Sequence, residues 1–268
     1  FTDNLIPIRI GRFQPETGCP RGQVLLVPVQ KPLSASCYRY PPKNRVWDEL
    51  MVVESSTCYF EEPGRGNTEA LLGLAKERAL EKGVTHVVVA STSGETGVKA
   101  AEAFQGTGVK VVVVTHQAGM RQPGVQELTE ENRKRLEAMG ATVVTCTHAF
   151  SGVGVGLSRV PPRPGPPGGQ PAPPPRMPPS TPPPGAVVAQ VLRLFCAGVK
   201  VCVEIALMAA DAGAIPVDRD VVAIGGTGRG ADTAMLLRPA HTNSILDLDL
   251  HEIIAKPFSG KRRRREAA

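Results

Sequence analysis

The stretch Val87-Val88-Val89-Ala90-Ser91-Thr92-Ser93-Gly94-Glu95-Thr96-Gly97 sets the fold class of this chain. Its first four residues are apolar and mostly β-branched, without the polar alternation of a half-exposed strand, which is the pattern of a parallel strand covered on both faces. The run then passes into small hydroxyl residues and glycine, and from about Gly97 to Phe104 the spacing becomes helical. A buried strand that enters a helix through such a turn is one unit of a parallel α/β sheet.

The same alternation extends in both directions. Upstream, Cys58-Tyr59-Phe60 is strand-like, and Pro63 to Glu69 opens a helix with Asn67 or Thr68 as N-cap and Leu71, Leu74, Ala75 and Ala79 as its buried stripe. Gly83 ends it, and Val84 to Ala90 is the next strand. Downstream come a strand over Val109 to Thr115, a helix over Glu127 to Met139 and a strand over Ala141 to Cys146. Beyond a proline-rich break, Ala186 to Phe195 and Val201 to Ala212 predict helices, Val221 to Gly225 and Ala234 to Arg238 predict strands, and Ile253-Ile254 a last short piece. This order predicts an α/β fold, a three-layer α/β/α sandwich around a mostly parallel sheet.

The chain has 268 residues, and fourteen of its 26 prolines lie between Pro161 and Pro184. Proline has no amide to donate and the segment carries almost no large apolar side chains. Residues 158–185 are therefore expected to form an exposed polyproline-like or disordered insertion. Its Pro161–Pro164 and Pro164–Pro167 spacings suit aromatic-grooved modules. Residues 1–57 show no sustained periodicity and are expected to be a poorly ordered or peripheral extension of a domain over 58–258, with a basic tail over 259–268.

The net charge of +6 arises largely in that tail: Lys261 to Arg265 supply five of 31 basic residues, and the other 26 nearly balance 25 acidic ones. No basic face is expected on the fold, so nucleic acid is not an expected partner. Val199 to Ile215, the most apolar stretch, is interrupted by Lys200, Glu204 and Asp211, and no run reaches the roughly eighteen residues of a membrane span. No secretory leader pattern opens the chain. The cysteines at 19, 37, 58, 146, 196 and 202 include no C-x-x-C pair and no His at zinc spacing. They are expected to be free thiols of a reducing, cytoplasmic environment, with no metal site.

Two loops carry candidate chemistry. Ser91, Thr92, Ser93, Gly94 and Thr96 combine hydroxyl donors, glycine and a helix start, which together can cradle a phosphate. The plainer alternative is that these residues only cap a βα turn. Glu95 is the discordant member, since its carboxylate repels phosphate. The second loop leaves the strand Val221 to Gly225 through Gly226-Thr227-Gly228-Arg229-Gly230-Ala231-Asp232-Thr233. Arg229 offers a charged partner for phosphate, and Thr227 and Thr233 offer further donors. Neither loop has the Walker A lysine, and the second is followed by a strand where a dinucleotide fingerprint requires a helix. His116 and His148 follow neighbouring strands and fall on the same rim, suited to ligand contact or, alternatively, to loop hydrogen bonding. Glu204 and Asp211, seven residues apart, read as one solvated or helix-pairing face. No nucleophile–base pair is legible.

Several segments look familiar together: Tyr59-Phe60 with Pro63-Gly64 and Asn67-Thr68, Val88 to Ser91 with Gly94 and Thr96, and Ser151-Gly152. They are joined by Lys200 to Glu204, Ala209-Ala210-Asp211 with Gly213 and Ile215-Pro216, Gly230 to Ala234, and Arg238 to His241. Over 58–157 and 186–257 the chain resembles the stand-alone pyruvate kinase C-terminal-domain-like proteins of archaea and bacteria. The resemblance implies the three-layer fold and bound flavin mononucleotide (FMN). In pyruvate kinase itself, the loop similar to Ser91–Thr96 binds a phosphate of a sugar bisphosphate activator, and the loop similar to Gly225–Thr233 closes over it. Pyruvate kinase activity is not expected, because the catalytic TIM barrel needs about 250 residues of its own.

The expected function is therefore binding of a phosphorylated small molecule, FMN by resemblance, at the carboxyl rim of the sheet. The ligand would be held by residues 91–96, His116, Gly225 to Gly230 and Thr233. The alternative is a non-catalytic sensor of a sugar phosphate or other anion. A free sheet edge allows a homo-oligomer.

Overall fold

The computed structural model describes residues 35–36, 54–158 and 182–259. Most of the N-terminal extension, the proline-rich run through residue 181, the basic tail beyond 259, Cys19 and Cys37 lie outside the described residues.

The fold is α/β. Its strands are β1 (Ala35–Ser36), β2 (Cys58–Phe60), β3 (His86–Ala90), β4 (Lys110–Thr115), β5 (Thr142–Thr145), β6 (Val221–Gly225), β7 (Thr233–Arg238) and β8 (Asp249–Pro257). The helices are α1 (Thr68–Glu81), α2 (Glu95–Phe104), α3 (Glu130–Ala138), α4 (Gly152–Ser158), α5 (Pro184–Arg193) and α6 (Ala197–Asp211). Seven strands form the mostly parallel sheet and two-residue β1 adds an eighth at its edge, in the order β1-β2-β8-β7-β6-β3-β4-β5. Strands β3, β4, β5 and β6 run parallel side by side, and β2 runs parallel to β8. Only β7 and β1 are reversed relative to their neighbours.

Both faces of the sheet are covered, as the unbroken valine runs require. On one side Val87, Val89, Val111, Val113, Val222 and Ile224 pack under α1, α2 and α3. On the other, Val88, Val112, Val114, Val221 and Ala223 pack against α6. Helix α5 lies on α6 through Ala189, Val203 and Leu207. The result is a helix–sheet–helix sandwich.

Four local readings are corrected. Strand β8 extends over nine residues where only Ile253-Ile254 stood out. Helix α3 starts after Glu127, since the Thr129 hydroxyl accepts from the Asn132 amide and caps it there. Helix α6 begins at Ala197, with the Cys196 sulfur accepting from the Val199 amide. Glu204 does not share a solvated face with exposed Asp211; it is only 3% exposed. Cys146, Cys196 and Cys202 are free thiols. Among the described residues no helix is long and apolar enough to cross a membrane.

Candidate functional site

Because β3, β4, β5 and β6 are parallel neighbours, the segments after Ala90, Thr115, Thr145 and Gly225 all leave one rim. Helix α6 returns antiparallel to them and presents its first turns to that rim: Gly198 abuts Thr233 and Asp232. This rim gathers every candidate residue named from the sequence.

The loop after β3 is held from three sides. The Ser91 hydroxyl accepts from the Gly97 amide at 3.1 Å, closing one of the open donors at the start of α2. The Ser93 carbonyl accepts from Asn132 Nδ2 at 2.9 Å and from the Thr129 amide at 3.3 Å, tying the loop to α3. Gly94 has φ 97°, and a Cβ there would lie 2.5 Å from the Asn132 Cβ and 2.7 Å from Leu128 Cδ1. Its glycine is thus demanded by packing on α3 as well as by the turn. The Val98 amide bonds the Gly94 carbonyl, which leaves the amides of Glu95 and Thr96 without an acceptor among the described residues. The hydroxyls of Ser93 and Thr96 likewise have no protein partner among the described residues, and Glu95 is exposed.

Thr92 turns toward the next strand, its hydroxyl 3.3 Å from His116 Nε2. The other nitrogen of that ring, Nδ1, lies 2.7 Å from Glu127 Oε2, and Arg121 Nε is 3.2 Å from Glu127 Oε1. His148 stands beside it, ring centroids 5.1 Å apart. Its Nδ1 lies 3.5 Å from Glu204 Oε2, while Lys200 contacts the same oxygen and the Phe150 amide donates to Glu204 Oε1 at 3.2 Å. Burial works to raise the Glu204 pKa, but the hydrogen bond from His148 and the charge of Lys200 outweigh it and bring it down to about 2. His148 Nε2 is buried and has no partner among the described residues.

The loop after β6 is organised around a residue of its own. Asp232, fully buried, accepts from the Gly64 amide at 2.8 Å and the Thr227 amide at 3.1 Å through Oδ2, and from the Thr233 hydroxyl at 2.9 Å through Oδ1. The Thr68 hydroxyl accepts from the Ala231 amide at 3.0 Å, so the loop is also docked on the start of α1. Gly225 closes β6 inside the core, Gly226 and Gly230 are half-buried, and Gly228 and Arg229 are exposed. Thr233 is fully buried with its hydroxyl directed inward at Asp232, so it does not face the rim as a donor. Thr227 Oγ1 is buried without a partner among the described residues.

The rim therefore carries Ser93, Thr96, Thr92, His116, His148 and Thr227, leaves Ser91 and Thr233 as internal braces, and adds Glu127, Lys200 and Glu204. Glu204 had a signal in the sequence: a carboxylate four residues after a lysine, inside a helix otherwise apolar on every side, has to be paired where it is buried. Glu127 had none, because its role depends on lying just outside α3. Cavities of about 240 Å³ near Lys82 and Arg219, and of about 250 Å³ between Phe195 and Leu250, lie elsewhere and contain none of these groups. Among the described residues no cluster of His, Cys, Asp and Glu is built to hold a metal ion. No family model matches the chain.

Proposed function

We propose that the chain is a stand-alone relative of the pyruvate kinase C-terminal domain that binds a phosphorylated small molecule, FMN, across the carboxyl rim of its sheet. One observation carries this reading: among the described residues, both buried side-chain polar atoms without a partner, Thr227 Oγ1 and His148 Nε2, belong to segments that leave this rim. Buried polar groups are ordinarily hydrogen-bonded, so such a pair marks a place where a ligand or ordered water completes the structure. Thr227 follows β6 and His148 follows β5, three strand spacings away, about 14 Å. A molecule reaching both is longer than a phosphate group and suits a mononucleotide.

The donor set fits the phosphate end. The open amides of Glu95 and Thr96, with the hydroxyls of Ser93 and Thr96, are neutral donors at a positive helix end. Bound FMN would supply electron or hydride transfer, and the chain would bind, orient and shield it. Here Ser93 and Thr96 hold the phosphate, His148 meets the ligand beside it, next to His116, and Thr227 meets a polar group farther along the ligand.

The test is the visible absorbance and fluorescence of the protein as purified, with released small molecules identified by mass spectrometry. A flavin spectrum that is lost in Ser93→Glu, which sets a carboxylate against the phosphate, is the expected outcome. A colourless protein that does not take up added FMN overturns the flavin assignment and leaves the sugar-phosphate sensor as the reading to pursue.

A further inference from the structure

His116 and His148 are held in matching ways by unrelated parts of the chain. Each ring has Nδ1 turned to a glutamate, Glu127 or Glu204, at 2.7 and 3.5 Å. A glutamate behind Nδ1 fixes the tautomer with its proton on Nδ1, so Nε2 is the reactive nitrogen of both rings. Nε2 of His116 meets the Thr92 hydroxyl of the loop that carries the open amides, and Nε2 of His148 is buried and unpartnered. The two rings stand 5.1 Å apart at 59° to one another. The charged groups behind the pair are Glu127 and Arg121 on one side and Glu204 and Lys200 on the other. A histidine that serves only as a loop brace has no need of a carboxylate behind it, nor, in His148, of an empty nitrogen in front.

We propose that His116 and His148 form a proton-transfer pair acting on the part of the ligand next to its phosphate. The ligand class is a phosphorylated small molecule with a hydroxyl or carbonyl oxygen adjacent to the phosphate-bearing end. The imidazole that is neutral takes a ligand proton on Nε2, the bonding electrons staying with the ligand. The other, protonated on both nitrogens, gives its Nε2 proton to the ligand oxygen. The ligand loses one proton and gains one, the charge has moved from one ring to the other, and no oxidant or further reactant enters. The ligand's position is taken from the proposed function, whereas the tautomers of the two rings stand independently of it.

The test uses the full chain with ¹⁵N-labelled histidine and backbone, and inorganic phosphate as probe. Ring correlation spectra are expected to show both imidazoles in the Nδ1–H form at mildly alkaline pH. Glu127→Gln and Glu204→Gln should each disturb that form in their own ring only. Phosphate should shift the Nε2 signals of His116 and His148 together with the amides of Glu95 and Thr96, while His86, His241 and His251 stay unmoved. Ser93→Glu should weaken all of these shifts about tenfold or more in phosphate concentration, roughly 1.4 kcal/mol. Thr92→Val, which keeps the shape of the side chain, should change the His116 ring signal alone.

Rings found in the Nε2–H form overturn the pair outright. Amides that shift while both rings stay unmoved overturn it too, and leave the phosphate site standing. Rings that shift while the amides do not leave the pair standing and remove the phosphate from α2. A spectrum in which neither moves overturns both.

Discussion

Glu204 shows how one residue couples the core to the site. It sits in an apolar helix, and its charge is retained there only because Lys200, His148 and the Phe150 amide all address the carboxylate. In the folded chain it stays ionised down to about pH 2, whereas the ordinary value is 4.5. The stabilisation from this depressed pKa is thus fully present above about pH 4.5 and is lost as the pH falls toward 2, on the order of 3 kcal/mol in all. Urea unfolding at neutral pH and near pH 3 should show part of this loss in the wild type. Glu204→Gln should lose roughly 3–5 kcal/mol already at neutral pH, because buried Lys200 is left without its partner, and should be less acid-sensitive thereafter. Equal pH dependence of the two proteins would refute this account.

At the scale of elements, the contact between α6 and β7 governs the rim. Gly198 lies in the first turn of α6, and a Cβ there would fall 2.0 Å from Thr233 Oγ1 and 3.0 Å from Asp232 Oδ1. Those two side chains hold the loop after β6, so the helix cannot approach without disturbing Asp232. Gly198→Ala is expected to cost about 1–3 kcal/mol by overpacking, despite the better helix propensity of alanine. The measurement is the denaturant midpoint, and an unchanged or raised midpoint would show that the helix simply shifts. The β6–β7 hairpin has an equally simple cause: residues 226–232 are too short a connection for a parallel crossover, so β7 must return antiparallel. Strand β8 is hard to find from its residues because its first part, from Asp249 to His251, is exposed and only Ile254, Ala255 and Pro257 are fully buried.

For the molecule as a whole, the two-sided burial of the sheet sets a gradient of stability. Strands β3 and β6 are neighbours inside the sheet and pack into both apolar layers, whereas β5 has one strand neighbour and half of its residues exposed. Amide hydrogen exchange should therefore be slowest over Val87–Val89 and Val222–Ile224, opening there only with global unfolding, and clearly faster over Thr142–Thr145. Mass-spectrometric exchange on peptides of these strands checks it; equal protection of β5 would contradict the layered core. The loops proposed to bind ligand leave the most stable strands, so the site stands on a rigid base.

The order of βα units, the buried strands and the two glycine-rich loops were determined by the sequence alone, because apolar periodicity and turn chemistry are local properties of the chain. So was the rim, since parallel strands put every β-to-α turn on one side. The pairing of Thr92, His116 and Glu127, and of His148, Lys200 and Glu204, was decided only by the tertiary structure. These six residues come from segments whose spacing has no period, and they meet because β3, β4 and β5 lie side by side with α6 packed across them. The same holds for Asp232, which reads as a loop residue and proves to be the acceptor on which the loop is built. Burial, and with it the charge state of a carboxylate, is a property of neighbours distant in the chain, and no run of residues carries it.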